Sequence, residues 1–235
     1  MSDCCGIVDI RGSVPWMGMA QMYHRMKSRG YSDDLRARIY DPHVRELNEY
    51  VDELTARKPG KFVPHISPEF GGSAARLLLL TLSPGEKTRL DLPGGSGLLS
   101  VENCDPAASR IAEALDHARI DRAACVSWNI YPWYEKGLGE LKPSLREPYL
   151  LEGVDLVIQV IARLPQLQAV FVFGDVPNRG WDLFRQSYPR TARSLKHFSH
   201  RSTGPSGYRG SVEQQKVWRQ QLFVEMVRAE RVIRD

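Results

Sequence analysis

The stretch Leu77-Leu78-Leu79-Leu80-Thr81-Leu82-Ser83-Pro84-Gly85 decides the fold. Leu77 to Thr81 is apolar or β-branched with no alternation, and Ser83-Pro84-Gly85 breaks the run sharply. A short apolar run closed by Pro and Gly reads as a buried strand ending in a turn. The missing alternation suits a parallel sheet covered on both faces. In such sheets ligands bind in the crevice beyond the carboxyl ends of the strands. Thr81 to Gly85 is therefore expected at that edge, and other strand ends should meet it there.

Downstream, Pro93-Gly94-Gly95-Ser96-Gly97 lacks both the GxGxxG order and the Lys-Ser/Thr of a P-loop, so it reads as a flexible loop over a site. Asp105 is a good N-cap with Pro106 at the first helical position, ahead of an apolar face of Ile111, Ala114, Leu115 and Ala118. Residues 123–130 read as a second strand ending at Asn129, before Tyr131-Pro132-Trp133-Tyr134. A helix is expected over 152–164, a third strand over 168–173 closed by Gly174, and a short helix over 180–188. A fourth strand is expected over 193–197, followed by His200-Arg201-Ser202, and a last helix runs from Ser211 to about Ile233. Alternating strands and helices imply a parallel sheet with right-handed crossovers. The expected class is α/β: a three-layer α/β/α sandwich around a central, mainly parallel four-stranded sheet.

Upstream, Met17, Ala20, Met22, Tyr23 and Met26 recur at helical spacing over 17–29. Val44, Leu47, Val51 and Leu54 repeat it, with Asp41-Pro42 as the helix start. Residues 62–76, with Pro64, Pro68 and Gly71-Gly72, read as a loop into the first strand. Residues 1–70 are thus expected as a helical extension packed on a core of 71–235, one structural domain overall.

The 235 residues suffice for one sizeable core, and 42% hydrophobic with 26% charged residues fits a soluble globular chain. A net charge of +4 permits a polyanionic partner without requiring one. Cys4, Cys5, Cys104 and Cys125 do not form a secreted disulfide framework. The start MSDCCGIVDI lacks the apolar core of a signal peptide, and no run approaches the roughly 20 apolar residues of a membrane span. A reduced, cytoplasmic monomer without membrane contact is expected.

Three strand ends converge: Thr81–Gly85, Asn129–Tyr134 and His200–Ser202. In this respect the chain resembles the uracil-DNA glycosylase superfamily over roughly residues 75–210. That family has a short motif ending in Pro after its first strand, matched by Thr81-Leu82-Ser83-Pro84-Gly85. It has an Asn at the end of a middle strand, matched by Asn129, and a late His-Pro-Ser segment, matched with one change by His200-Arg201-Ser202. Gly97-Leu98-Leu99-Ser100-Val101 resembles the stretch that holds its uracil-stacking aromatic, and Tyr208-Arg209-Gly210 the end of its minor-groove loop.

The resemblance implies a monofunctional glycosylase that removes uracil, and 5-substituted uracils, from DNA and releases the free base. Asn129 would read the base edge, because a carboxamide pairs with both a carbonyl and an N–H. His200 would donate to the developing negative oxygen, helped by the N–H groups of the turn at Ser83. Leu82, Gly85, Leu99, Ser100 and Asn103 would line the base pocket, and Arg201, Ser202, Tyr208 and Arg209 would contact DNA. The chain departs from the family where Ser83 stands in place of an Asp or Asn that positions water. Asp105 is the nearest substitute, with Glu102 and Asn103 as competitors, and its plain reading is a helix cap. Leu98-Leu99 replace the stacking aromatic, so Trp133 or Tyr134 would stack instead, unless they are core aromatics. A strict relative's bulky Tyr after the motif Pro is here Gly85, which leaves the wall near the base's 5-position open. Some relatives carry an iron–sulfur cluster on four Cys; the adjacent pair Cys4-Cys5 with distant Cys104 and Cys125 does not fit that spacing, so no cluster, metal or other cofactor is expected. Two other readings remain: a superfamily member that binds uracil or DNA without excision, and a nucleotide-binding α/β hydrolase using the 94–97 loop.

Overall fold

The computed structural model describes residues 23–201 and 211–234. A 3-10 turn at Arg25–Lys27 leads into helix α1 (Arg29–Ala37), capped by the Ser28 hydroxyl. Helix α2 (Arg45–Arg57) starts three residues later than the Asp41-Pro42 signal. The Asp41 carboxylate is engaged by Arg38, and the His43 carbonyl accepts the Ser73 N–H, so residues 41–44 form a turn that feeds the helix. The 62–76 segment is not all loop, since it holds strand β1 (His65–Ile66) and a 3-10 turn at Gly72–Ala74. Then come β2 (Leu77–Thr81), a 3-10 turn at Glu86–Thr88 and β3 (Leu98–Leu99), which pairs in parallel with β1.

Helix α3 (Pro106–Ala118) begins as expected, with Asp105 Oδ1 accepting the N–H groups of Ala107 and Ala108. Strand β4 (Cys125–Asn129) follows. Helix α4 (Pro143–Ala162) starts nine residues before the expected 152, with Pro143 in its first turn. It runs through Pro148, whose position near the helix start limits the loss to one backbone bond. Strand β5 (Ala169–Phe173) passes straight into α5 (Asp175–Ser187) through Gly174, whose φ of 106° glycine alone adopts easily. That helix begins five residues before the expected 180, because Pro177 falls in a first turn that needs no N–H.

The expected strand over 193–197 is displaced. Pro189 opens a short helix, α6 (Pro189–Ser194), Leu195 anchors in the core, and β6 is Lys196–His200. Helix α7 (Val212–Ile233) closes the described chain, with Ser211 and Gln214 forming a reciprocal capping box.

The main sheet has the order β4-β2-β5-β6 with every pair parallel. Its helices lie on both faces. Helix α7 packs on α3 and against β6, where the His200 side chain bonds to the backbone of Trp218. Helix α5 packs on α4, and its Trp181 ring sits 5.6 Å from that of His197. His197 and His200 are three residues apart on one strand and so point to opposite faces. The two helix pairs therefore cover the two sides of the sheet, as an unbroken leucine strand with all four leucines buried requires.

The segment before the sheet shares its core. Tyr23, Leu47, Tyr50, Val51, Leu54 and Ile66 join the same hydrophobic cluster as the sheet residues. Asn48, fully buried in α2, bonds through its amide nitrogen to the carbonyls of Ile39 and Ile66 and accepts the Ile66 N–H at 2.7 Å. This polar residue on an otherwise apolar helix face ties β1 to α2, while pairing with β3 holds its other edge.

Candidate functional site

The strand register brings three segments to one edge. Thr81 pairs with Asn129, Leu80 with Val172, and Phe173 with His200. Asn129, Thr81, Phe173 and His200 thus form a single row across the carboxyl ends of the four strands. Neighbours in register share a face, so their side chains all project towards α3 and α7. Three inter-strand steps separate the ends of this row, about 14 Å from Asn129 to His200. In the order β4-β2-β5-β6 the chain switches direction between β2 and β5, the place where doubly wound sheets hold ligands.

Asn129 is 2% exposed, and its amide nitrogen donates to the Thr81 hydroxyl at 2.6 Å. Its carboxamide oxygen is buried with no partner among the described residues. Ile130, pointing the other way, is clamped by α4 and α5: a side chain at Gly153 would lie 2.1 Å from the Ile130 carbonyl oxygen, and one at Gly180 3.0 Å from its side chain. That clamp fixes the height of Asn129 on the opposite face.

His200 is 6% exposed. Burial lowers its imidazole below the ordinary value, and the Arg110 charge on α3 works the same way. The Trp218 backbone and Glu225, both on α7, act in the opposite sense. The ring is thus favoured in its neutral form, and its single N–H is the one that meets the Trp218 backbone.

The turn after β2 stands open. The Ser83 hydroxyl has no hydrogen-bond partner among the described residues. Gly85 is exposed, with nothing within 4 Å of where a Cβ would stand. Leu82 is tied to the β4 exit by its carbonyl, which accepts the Tyr131 N–H at 2.9 Å. Tyr134 lies against this turn: its hydroxyl donates to Glu86 at 3.3 Å, and Arg89 stacks on its ring. Trp133 lies instead in the core, 1% exposed, donating its indole N–H to the Leu54 carbonyl at 3.1 Å. Of the two aromatics considered for stacking, Tyr134 is the one beside the turn.

Asp105 is a helix cap in full, with Oδ1 holding two N–H groups. Burial raises its carboxyl above the usual range; the two N–H bonds and the nearby His24 pull the other way. Oδ2 makes no hydrogen bond among the described residues. Its competitors are engaged. Glu102 is wholly buried between the guanidinium groups of Arg25, at 3.1 Å, and Arg122. Asn103 donates to the Leu98 carbonyl at 2.9 Å, leaving its own amide oxygen without a partner among the described residues.

Leu99 is buried in β3, and Ser100 donates to Glu69 at 3.2 Å while accepting the Glu102 N–H. Glu69 also receives Tyr31 and Arg25, so this stretch is joined to a partly buried ionic cluster that binds residues 25–31 to the core. Neither Arg25 nor Arg122 was legible as part of it, because the partners are 20 to 77 residues apart in the chain.

The glycine loop has a structural explanation. The N–H groups of Gly95, Ser96 and Gly97 are spent on the carbonyls of Leu92, Lys87 and Thr88, and a Cβ at Gly95 would strike the Arg89 carbonyl. No row of free N–H groups is left there for a phosphate.

Arg201 follows the row and donates to Asp175 at 2.9 Å, joining the end of β6 to the start of α5. Ser202, Tyr208 and Arg209, expected at DNA, lie outside the described residues, as do Cys4 and Cys5. Cys104 is half-buried and Cys125 buried, both as free thiols. Among the described residues no group of three His, Cys, Asp or Glu side chains is arranged to hold a metal ion, and no helix is long and apolar enough to cross a membrane. A groove of about 710 Å³ between α5, α6 and β6, lined by Arg179, Arg185, Arg193 and His197, contains none of the residues of the edge row. No protein-family model matches this chain, and no curated protein matches it either.

Proposed function

We propose that this protein is a DNA glycosylase that hydrolyses the bond between uracil and deoxyribose, leaving an abasic site and free uracil. The observation that carries this reading is the buried, half-satisfied carboxamide of Asn129, in one row with a neutral His200 at the carboxyl edge of a parallel sheet. A buried acceptor without a partner is costly unless a ligand supplies the missing donor.

The base enters the crevice flipped out of the DNA. The bond from the base N1 to C1′ of the sugar breaks, and its electron pair stays with the base. Asn129 holds the base by its polar edge. The single N–H of a neutral His200 turns from the Trp218 backbone to a base oxygen when the base enters, and stabilises the negative charge that gathers there. A water oxygen adds to C1′ and gives up its proton, while the departing uracil anion takes one up. Asp105, through its free oxygen, orients that water and offsets the positive character of the sugar; its raised pKa also suits it to accept the proton. Gly85 leaves the wall open to substituents at the base's 5-position.

The test is a gel assay with single- and double-stranded oligonucleotides carrying one uracil, set against unmodified controls. Alkali-labile cleavage only at the uracil supports the reading, and none in either substrate overturns it. Retained affinity for free uracil without cleavage would identify a binder that does not excise.

A further inference from the structure

We infer that Thr81 is a positioning residue that locks the Asn129 carboxamide in one orientation and thereby restricts the site to bases with a carbonyl beside an N–H. The inference rests on the function proposed above.

Thr81 is the one polar side chain of β2 and stands at its last position, in register with Asn129. The Asn129 amide nitrogen donates to the Thr81 hydroxyl oxygen at 2.6 Å. The Thr81 hydroxyl in turn donates to the Trp128 carbonyl at 3.5 Å. This relay has a direction. Because the hydroxyl proton is directed at a carbonyl, which only accepts, the hydroxyl oxygen is free to accept, and a carboxamide nitrogen is the end that can donate to it. A carboxamide turned over would place its own oxygen against the hydroxyl oxygen, and the Thr81 proton would have to leave Trp128.

The consequence lies on the other side of the amide. One Nδ2–H is spent on Thr81, leaving the second Nδ2–H beside the unpartnered Oδ1. A donor next to an acceptor complements a base edge with a carbonyl next to an N–H, such as C4=O and N3–H of uracil. Cytosine presents the reverse, an amino group beside a bare ring nitrogen, and would need the carboxamide inverted. Holding the amide against inversion therefore selects uracil over cytosine without any contact between Thr81 and the base. A β-branched residue at a strand end needs no such explanation for its shape, but Val would serve that purpose as well; the hydroxyl is the part that packing does not account for.

Two variants separate the roles. Thr81→Val keeps the branched shape and removes the hydroxyl, and Thr81→Ser keeps the hydroxyl. In single-turnover assays on single-stranded DNA, Thr81→Val is expected to lose at least tenfold in uracil excision, and its uracil-to-cytosine ratio should fall tenfold or more. Thr81→Ser should stay within threefold of wild type in both. Thr81→Val within threefold of wild type in rate and ratio overturns the role of Thr81 while leaving the proposed function intact. A wild-type protein that excises no uracil overturns the function, and the base selection with it. The geometry has its own readout should Thr81→Val fail to fold. In 1H–15N spectra one Asn129 side-chain N–H should be shifted and slow to exchange in the wild type and in Thr81→Ser. Two freely exchanging Asn129 protons in the wild type would overturn the relay.

Discussion

Gly85 is exposed, has a φ of −82°, and faces open space where a side chain would stand. Gly85→Tyr should therefore fold with an unchanged urea midpoint, because it meets no neighbour. If the turn at Ser83–Gly85 borders the base pocket, the new ring narrows it beside the 5-position. A pocket wall of this kind discriminates by roughly 1–3 kcal/mol, about 10- to 100-fold. Excision of 5-hydroxymethyluracil in single-stranded DNA should fall by that factor relative to uracil, and an unchanged ratio would remove Gly85 from the pocket. Asp105→Asn asks a different question of one atom. Asn caps helices about as well as Asp, so α3 should persist with the same thermal stability. The negative charge is lost, and excision should drop at least tenfold; full activity would leave Asp105 as a cap alone. Asn129→Ala removes the base-reading amide and should cost about 100-fold or more in excision. Affinity for uracil-free DNA should hold, since phosphate contacts supply most non-specific binding. A parallel loss of both, measured by fluorescence anisotropy and excision kinetics, would contradict the assignment.

At the scale of elements, the decisive contact is between helix α4 and the exit of β4. Gly153 lets the helix backbone approach so closely that a methyl group there would lie 2.1 Å from the Ile130 carbonyl oxygen. Backbone on both sides leaves nothing to rotate away. Gly153→Ala should cost about 1–3 kcal/mol of stability by overpacking, read as a lower urea midpoint. It should also slow excision in the surviving folded protein, because Ile130 adjoins Asn129 in the chain. A variant with wild-type stability would show that α4 is free to shift. This contact was hidden in the sequence, where the helix was expected to begin only after Pro148. The helix carries two prolines near its start, and local pattern puts the boundary after the second one. Packing on α5 and on Ile130 extends it back to Pro143 instead.

Across the described molecule, burial leaves three histidines harder to protonate than in the unfolded chain. Burial is the first cause for His24, His197 and His200, each lowered from 6.5. Below that value the unfolded chain binds more protons than the folded one, so stability declines as the pH falls. Their contribution is complete above about 6.5 and is lost progressively below it. Asp105 acts in the opposite sense and at lower pH: its raised carboxyl favours the folded state below 3.8, and this is lost as pH rises through its shifted value. The urea midpoint should therefore drop between pH 7 and pH 5.5, and His24→Gln should reduce the drop. A midpoint independent of pH over that range would mean that these rings are not protected. The same lowering favours the neutral form of His200, so the acid limb of the excision rate should lie below the ordinary histidine value of 6.5.

The class of fold was written in local pattern. Four leucines without alternation, a Pro-Gly stop, Asp105-Pro106 as a helix start and the apolar run closed by Gly174 are each signals that need no distant partner. Together they implied a parallel α/β sheet, and β2, β4, β5 and α3 fall where those signals stand. The edge strand was misplaced because its exposed residues carry no apolar pattern, and its position depends on Leu195 reaching the core. The candidate site was legible only as a set of strand ends. That Asn129, Thr81, Phe173 and His200 share one row depends on the register of three strand pairs, and register is a property of hydrogen bonds between distant segments. Tertiary structure alone sent Trp133 to the core and Tyr134 to the turn, committed Glu102 to two arginines, and left the Asn129 oxygen buried without a partner among the described residues. Each of these depends on which groups meet after the chain has closed, and a sequence read residue by residue does not contain those meetings.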